Sequence, residues 1–147
     1  MIKLVDLTKN NWKLAIKLDV YDSQKKYIAS NIYSIAESTF HKGTILKGIQ
    51  NGSETVGFVL CWLSTENKNL STIVRFMIGK DFQGKGYGKI GLELLIKMFK
   101  EEFNRKLISL SVIPENNSAR KFYEKIGFEN TSKMVEGELK YIYKINY

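Results

Sequence analysis

Residues 83–88 read Gln83-Gly84-Lys85-Gly86-Tyr87-Gly88, between a run expected as a strand, Ser71 to Ile78, and one expected as a helix from about Gly88 to Phe103. Three glycines at alternate positions strip away the Cβ atoms that would hinder curling, so successive N–H groups can converge on one concavity. The following helix adds its unpaired N-terminal N–H groups and the positive end of its dipole, which favour phosphate or pyrophosphate. Lys85 and Lys89 bring mobile positive charge to the rim. The segment therefore predicts a diphosphate seat at a strand-to-helix junction. A plain glycine-rich surface turn competes with this, but strand and helix signals flank the segment on both sides.

Three phosphate-binding frames can be laid over these glycines. Gly79 to Lys85 satisfies most of a P-loop, yet Gly86 follows where a Ser or Thr should hold magnesium. Gly86-Tyr87-Gly88-Lys89-Ile90-Gly91 fits the dinucleotide fingerprint by letter, with Glu115 near the distance of a ribose-binding acid. Against that frame, Gly79 to Lys85 separates the strand from its first glycine, and too little chain follows Gly91 for repeated βαβ units.

The third frame is Gln83-x-x-Gly86-x-Gly88. Downstream, Asn116, Ala119, Tyr123, Gly127 and Phe128 fall at the spacing Asn-x-x-Ala-x-x-x-Tyr-x-x-x-Gly-Phe. The two patterns, in this order, resemble the acetyl-coenzyme A loop and the second signature of the GNAT superfamily of N-acetyltransferases. The resemblance is strong over about Ser71 to Glu129 and rests elsewhere on the order of strands and helices.

Composition sets the frame for that resemblance. With 147 residues, 44% of them hydrophobic, the chain is expected to form one domain over residues 1–147 with a full core. A net charge of +8 invites nucleic-acid or membrane partners, but the lysines are scattered, with no run longer than Lys25-Lys26. No aromatic stacking array accompanies them. Neither nucleic acid nor membrane is therefore expected as a partner. The single cysteine, Cys61, excludes an internal disulfide, and no metal site is expected. With no apolar run long enough to span a bilayer and no signal-peptide core at Met1-Ile2-Lys3-Leu4, a cytoplasmic location is expected.

Taken in order, residues 2–7 alternate as a strand, and Thr8 or Asn10 caps a short helix ending near Asp19. Apolar residues from Gln24 to Phe40 recur at helical intervals, which predicts one continuous second helix closed by Gly43. Thr44 to Gln50 and Thr55 to Leu63 form a hairpin about Asn51-Gly52. After the central strand and glycine loop, Ile90, Leu94 and Met98 with Leu95 and Phe99 mark the packed face of a helix. Leu107 to Ile113 is a strand stopped by Pro114, and Ala119 to Ile126 a helix ended by Gly127. Two strands, Phe128 to Val135 and Leu139 to Ile145, turn near Glu136-Gly137.

The resemblance implies an α/β (α+β) fold: a mixed six- to seven-stranded sheet with about four helices, whose two central parallel strands splay apart to admit the pantetheine arm of acetyl-CoA. It implies that Phe76, Met77 and Ile78 pair with that arm as an added strand. Gln83, Gly84, Lys85, Gly86, Tyr87, Gly88 and Lys89 would hold the pyrophosphate, and Asn116 or Asn117 would contact the arm from the opposite strand. Tyr123 becomes the expected general acid. A departing thiolate gains from a proton, and a phenol with a pKa near 10 can give one while remaining protonated at neutral pH.

The attacking amine must first lose its own proton, since a primary ammonium has a pKa near 10.4. The central strand carries no acid, which leaves Glu37 and Glu66 as candidate bases, Glu37 preferred. Arg75, among apolar neighbours, needs a partner such as Glu37 or the substrate. His41 has no companions for a triad, and Cys61 in an apolar strand reads as core. Direct transfer within a ternary complex is therefore expected.

Gln24, Tyr27-Ile28-Ala29-Ser30-Asn31 and Ser34 to Glu37, with Arg75 to Ile78, resemble the small bacterial spermine and spermidine acetyltransferases. That similarity implies a polyamine acceptor contacted by Tyr27, Asn31, Glu37 and Arg75, while the sequence leaves open whether two copies assemble as a homodimer. Aminoglycosides, amino acids, protein N-termini and non-catalytic binding remain as alternatives.

Overall fold

Val56 to Cys61 is buried residue after residue, which only an interior strand covered on both faces allows. The computed structural model describes residues 1–147 and places that run in the third of seven strands. The chain runs β1 (Ile2–Asp6), α1 (Trp12–Ile16), a 3-10 helix (Asp22–Tyr27), α2 (Asn31–Ser38), β2 (Thr44–Asn51), β3 (Glu54–Leu63) and β4 (Leu70–Ile78). A 3-10 turn at Lys80–Phe82, α3 (Tyr87–Glu101), β5 (Leu107–Val112), α4 (Asn117–Ile126), β6 (Glu129–Val135) and β7 (Glu138–Lys144) complete it.

The strands form one mixed sheet in the order β1-β2-β3-β4-β5-β7-β6. One face packs on α3 and α4 through Val59, Cys61, Leu92, Leu95, Phe99 and Tyr123. The other carries Phe58 and Leu60 against Ala15 of α1, with Ile28 and Ile35 packed beside them. Each fully buried Leu or Phe here contributes roughly 1.5–3 kcal/mol. The buried stripe of α3 is Gly91, Leu92, Leu95, Met98 and Phe99, which keeps Leu95, Met98 and Phe99 of the expected face, while Leu94 is half-buried and Ile90 exposed.

All neighbouring strands are antiparallel except β4 and β5, which pair in parallel only over Leu70–Thr72 with Leu107–Ser109. Two hydroxyl contacts close that joint: Thr72 Oγ1 to Ser109 Oγ at 2.9 Å, and Ser71 Oγ donating to Leu107 O at 3.1 Å. Beyond Thr72 the strands part, while β3 and β7 stay paired on their outer sides. The splayed central pair is thus present, and it opens a cleft with an unpaired edge of β4 as one wall.

Two local expectations change. The continuous helix over Gln24–Phe40 is instead a 3-10 helix and α2, because Ile28 is extended (φ −145°, ψ 137°) and Ser30 caps the second segment by accepting from Tyr33 N at 3.1 Å. That break lets Ile28 turn into the sheet while Ile32 and Tyr33 stay exposed. In the first hairpin Asn51 pairs with Glu54, so the turn is Gly52-Ser53, one residue later than expected, with Gly52 at φ 64°. Asn51 is thereby free to donate from Nδ2 to the Tyr87 hydroxyl at 3.0 Å, tying the sheet to the start of α3.

Candidate active site

The strand-to-helix loop is built as the glycines require. Gly84 (φ 77°) and Gly86 (φ 83°) are both left-handed, and a Cβ at either would meet nothing within 4 Å. Glycine is needed there for torsion, not for room. Gly86 is the N-cap of α3 and supplies no side-chain cap, so the first N–H groups of the helix face outward unsatisfied, ready for an anion. Gly88 lies inside the helix, where a Cβ would make ordinary contact with Phe122 at 3.5 Å.

Gln83 turns inward. Its Nε2 donates to Ile78 O at 2.9 Å and to Gln24 Oε1 at 3.0 Å, and its Oε1 accepts from Gln24 Nε2 at 3.1 Å. Lys89 lines the cleft, whereas Lys85 sits outside its lining with Nζ 6.0 Å from the Phe82 ring.

The cleft is a cavity of about 1100 Å³, bounded by Phe76, Met77 and Ile78 of β4, by the glycine loop and Tyr87, and by Phe122 and Tyr123 of α4. It adjoins a second chamber of about 730 Å³. Tyr123, Phe76, Asn116, Tyr27 and Ile28 line both, so they mark the junction. Tyr123 is 9% exposed, packed edge-on against Phe122 and Phe128. Burial pushes its phenol well above the usual tyrosine range, so it stays protonated at neutral pH. Asn116 caps α4 by accepting from Ala119 N at 3.3 Å, whereas Asn117 is exposed and outside both chambers.

On the acceptor side two expected residues sit elsewhere. Asn31 is buried at the start of α2 and donates its amide to Ala15 O at 2.9 Å, so it braces α1 and does not line either chamber. Glu37 does not line the second chamber either; its Oε1 accepts from Arg75 Nη2 at 3.3 Å, and the preferred base is thereby held in an ion pair. Arg75 itself lines the chamber, as Tyr27 does.

Glu136 and Glu138 line the second chamber and were not singled out from the sequence. Only Glu136-Gly137 was visible there, as a turn. What brings both acids to the cleft is register: Leu139 of β7 pairs with Val112 at the C-terminal end of β5, so the β6–β7 turn overhangs the splayed strands. Lys125 and Ser118 of α4 are likewise unforeseen members of the larger cavity.

A bare strand edge, a loop of upturned amides and an uncapped helix start, facing one cavity, suit a ligand with an extended amide-bearing arm and a pyrophosphate. The sequence profile described as the acetyltransferase (GNAT) family matches residues 10–128. The chain belongs to the GNAT family. This GNAT chain is 32% identical over 136 residues to a probable spermine N(1)-acetyltransferase of Bacillus subtilis subsp. natto, covering 87% of this chain and 88% of the relative. Over 83 residues it is 37% identical to a ribosomal protein bS18-alanine N-acetyltransferase of Haemophilus influenzae, covering 56% and 53% of the two. Among solved structures it superposes on spermidine N-acetyltransferase of Vibrio cholerae in complex with CoA and spermine, with a TM-score of 0.78 at 16% identity, covering 98% of this chain and 95% of that one. The GNAT chain is thus an acetyl-CoA-dependent N-acetyltransferase. No helix in it is long and apolar enough to cross a membrane.

Proposed function

We propose that the acceptor is a polyamine of the spermine and spermidine class, acetylated on a primary amine by direct attack in a ternary complex. The carrying observation is the charge of the second chamber. Its cations are engaged: Arg75 with Glu37, Lys25 with Asp19 and Asp22 at 3.4 and 3.0 Å, and Lys26 over the Tyr27 ring at 5.0 Å. Its two glutamates, Glu136 and Glu138, have no salt-bridge partner. A chamber with two free carboxylates, in which Arg75 and Lys25 are paired with acids and Lys26 alone keeps its full charge, favours a polycation although the whole chain carries +8. Likeness to the spermine acetyltransferase over most of both chains supports the same class.

Bound acetyl-CoA supplies an activated acetyl thioester. The backbone of Phe76, Met77 and Ile78 would hold its arm along β4, and an N–H at Met77 or Ile78 would polarise the thioester carbonyl. The loop amides of Gly84 to Gly88, with Lys89, would hold its pyrophosphate. Glu138, half-buried in the chamber wall, takes the proton shed by the ammonium directly or through water. The Tyr123 hydroxyl would give its proton to the departing sulfur and recover the second proton that the nitrogen loses on becoming an amide, the first having gone to Glu138. Cys61 takes no part: it is fully buried in the core, and burial drives its thiol pKa far up.

A thiol-release assay with spermine, spermidine, an alanine-ended peptide and an aminoglycoside tests this. Turnover of the polyamines at the lowest KM supports it, and preference for the peptide or the aminoglycoside overturns it.

A further inference from the structure

The 3-10 helix Asp22–Tyr27 borders both chambers, through Gln24 in the larger one and Lys26 and Tyr27 in both. Its hydrogen bonds stay within residues 19–28 with one exception, the reciprocal amide pair of Gln24 and Gln83 at 3.0 and 3.1 Å. Gln24 is itself held in place, since its Oε1 also accepts from Tyr21 N at 3.1 Å and its own N–H donates to Tyr21 O at 2.8 Å. Gln83 is equally fixed, bonded to Ile78 O at the end of β4 and standing one residue before the left-handed Gly84. Gln83 opens the cofactor loop, so two paired amides tie the wall of the amine chamber to that loop, beside the Lys80 N–H bond to Asp19 O at 2.8 Å that anchors the start of the segment and the packing of Ile28 on the sheet.

We infer that the Gln24–Gln83 pair is a latch through which an occupied cofactor loop fixes the wall of the amine chamber, with Gln24 acting as a positioning residue. Ordering the Gly84–Gly88 backbone around a pyrophosphate removes freedom from Gln83. The paired amides pass that constraint to Gln24 and so to Tyr27 and Ile28 at the junction. A first ligand that has already ordered a segment leaves less ordering cost for the second, so cofactor and amine should bind with positive coupling, equal in both directions.

The latch rests on the cofactor seat at residues 83–89 and not on the identity of the amine, so CoA alone serves as probe. Amide hydrogen exchange of the full chain is followed with and without CoA, for the native sequence, Gln24→Met and Gln24→Glu. Methionine keeps the length of the side chain without its amide, and glutamate keeps an acceptor for Gln83 Nε2 and Tyr21 N.

In the native chain CoA should slow exchange in both 83–89 and 21–28, the latter by at least about fivefold, the lower end of ordinary coupling. In Gln24→Met, CoA should still slow 83–89 while the slowing of 21–28 falls several-fold, to what direct contact of Lys26, Tyr27 and Ile28 with the larger cavity gives, and Gln24→Glu should restore part of the effect. A merely structural Gln24 would raise exchange in the free protein and leave the CoA-induced slowing of 21–28 intact. That result, or no response of 21–28 in the native chain, overturns the latch. No response of 83–89 removes the cofactor seat and the latch with it, whichever amine is acetylated.

Discussion

Arg75 Nη2 lies 3.3 Å from Glu37 Oε1, joining the central strand to α2 at the wall of the second chamber. Both side chains are largely shielded, at 20% and 26% exposure, and Arg75 Nε has no partner. The pair therefore neutralises a guanidinium that would otherwise repel a cationic acceptor.

Removing the carboxylate should be felt as stability and affinity, not as lost base chemistry. Glu37→Gln should lower the unfolding free energy by about 1–2 kcal/mol, less than for a fully buried pair because both groups keep some solvent. It should raise KM for a polyamine while kcat changes only a few-fold. Loss of kcat by roughly a hundredfold or more, the scale of a missing general base, would return Glu37 to the chemistry.

Tyr123→Phe should cut kcat by about 10²-fold or more with CoA affinity preserved, because the ring still packs on Phe122 and Phe128 while the proton donor is gone. Unchanged kcat, with CoA binding measured by calorimetry, would take Tyr123 out of the mechanism.

Gly84→Ala and Gly86→Ala should each weaken CoA by about tenfold, since alanine lets the free loop relax out of the αL geometry and binding must then restore it at about 1–2 kcal/mol, with no neighbour within 4 Å to compensate. Gly88→Ala should bind CoA nearly as the native chain does, because its Cβ fits inside the helix against Phe122. Equal losses at all three positions would contradict torsion as the reason for the glycines.

Much of the site was legible because its signals are local. The glycine loop, the cap at Asn116 and the position of Tyr123 on α4 follow from residues a few places apart. The second chamber was not legible, because strand register creates it. Glu136 and Glu138 reach the cleft only because β7 pairs with β5 residue for residue up to Val112 and Leu139. Asn31 misled for the opposite reason: an amide next to Ser30 looks free in sequence, yet the break after Tyr27 turns it onto Ala15 O. Glu37 was rightly named as a possible partner of Arg75, and that pairing holds it off the lining of the second chamber.

Alkaline pH should unfold this chain in two stages. Burial raises the pKa of both Cys61 and Tyr123 in the folded state, and each is neutral when protonated. The unfolded chain therefore loses these protons first, so stability is full below about pH 8.5 and falls as pH rises, by about 1.4 kcal/mol per unit for each group in play. Cysteine acts from about pH 8.5 and tyrosine from about pH 10. Urea unfolding of Cys61→Val should show no fall in the first interval, and persistence of that fall would mean other groups cause it.

Glu136 pairs a poor backbone choice with a useful side chain. It sits at φ 51° and Gly137 at φ 82°, both positive, in a two-residue turn between Val135 and Glu138. Such a turn favours Asn-Gly, and glutamate there carries strain that asparagine would relieve. Glu136→Asn should therefore raise the unfolding free energy by about 0.5–1 kcal/mol while removing one of the chamber's free carboxylates. An exposed charge contact of about 0.5–1 kcal/mol translates into a KM for spermine about two- to fivefold higher, with kcat nearly unchanged. Added salt should raise the native KM more steeply than that of the variant, because screening acts on the charge that has been removed. A more stable variant with the native KM and the native salt dependence would show that the turn acid takes no part in holding the amine.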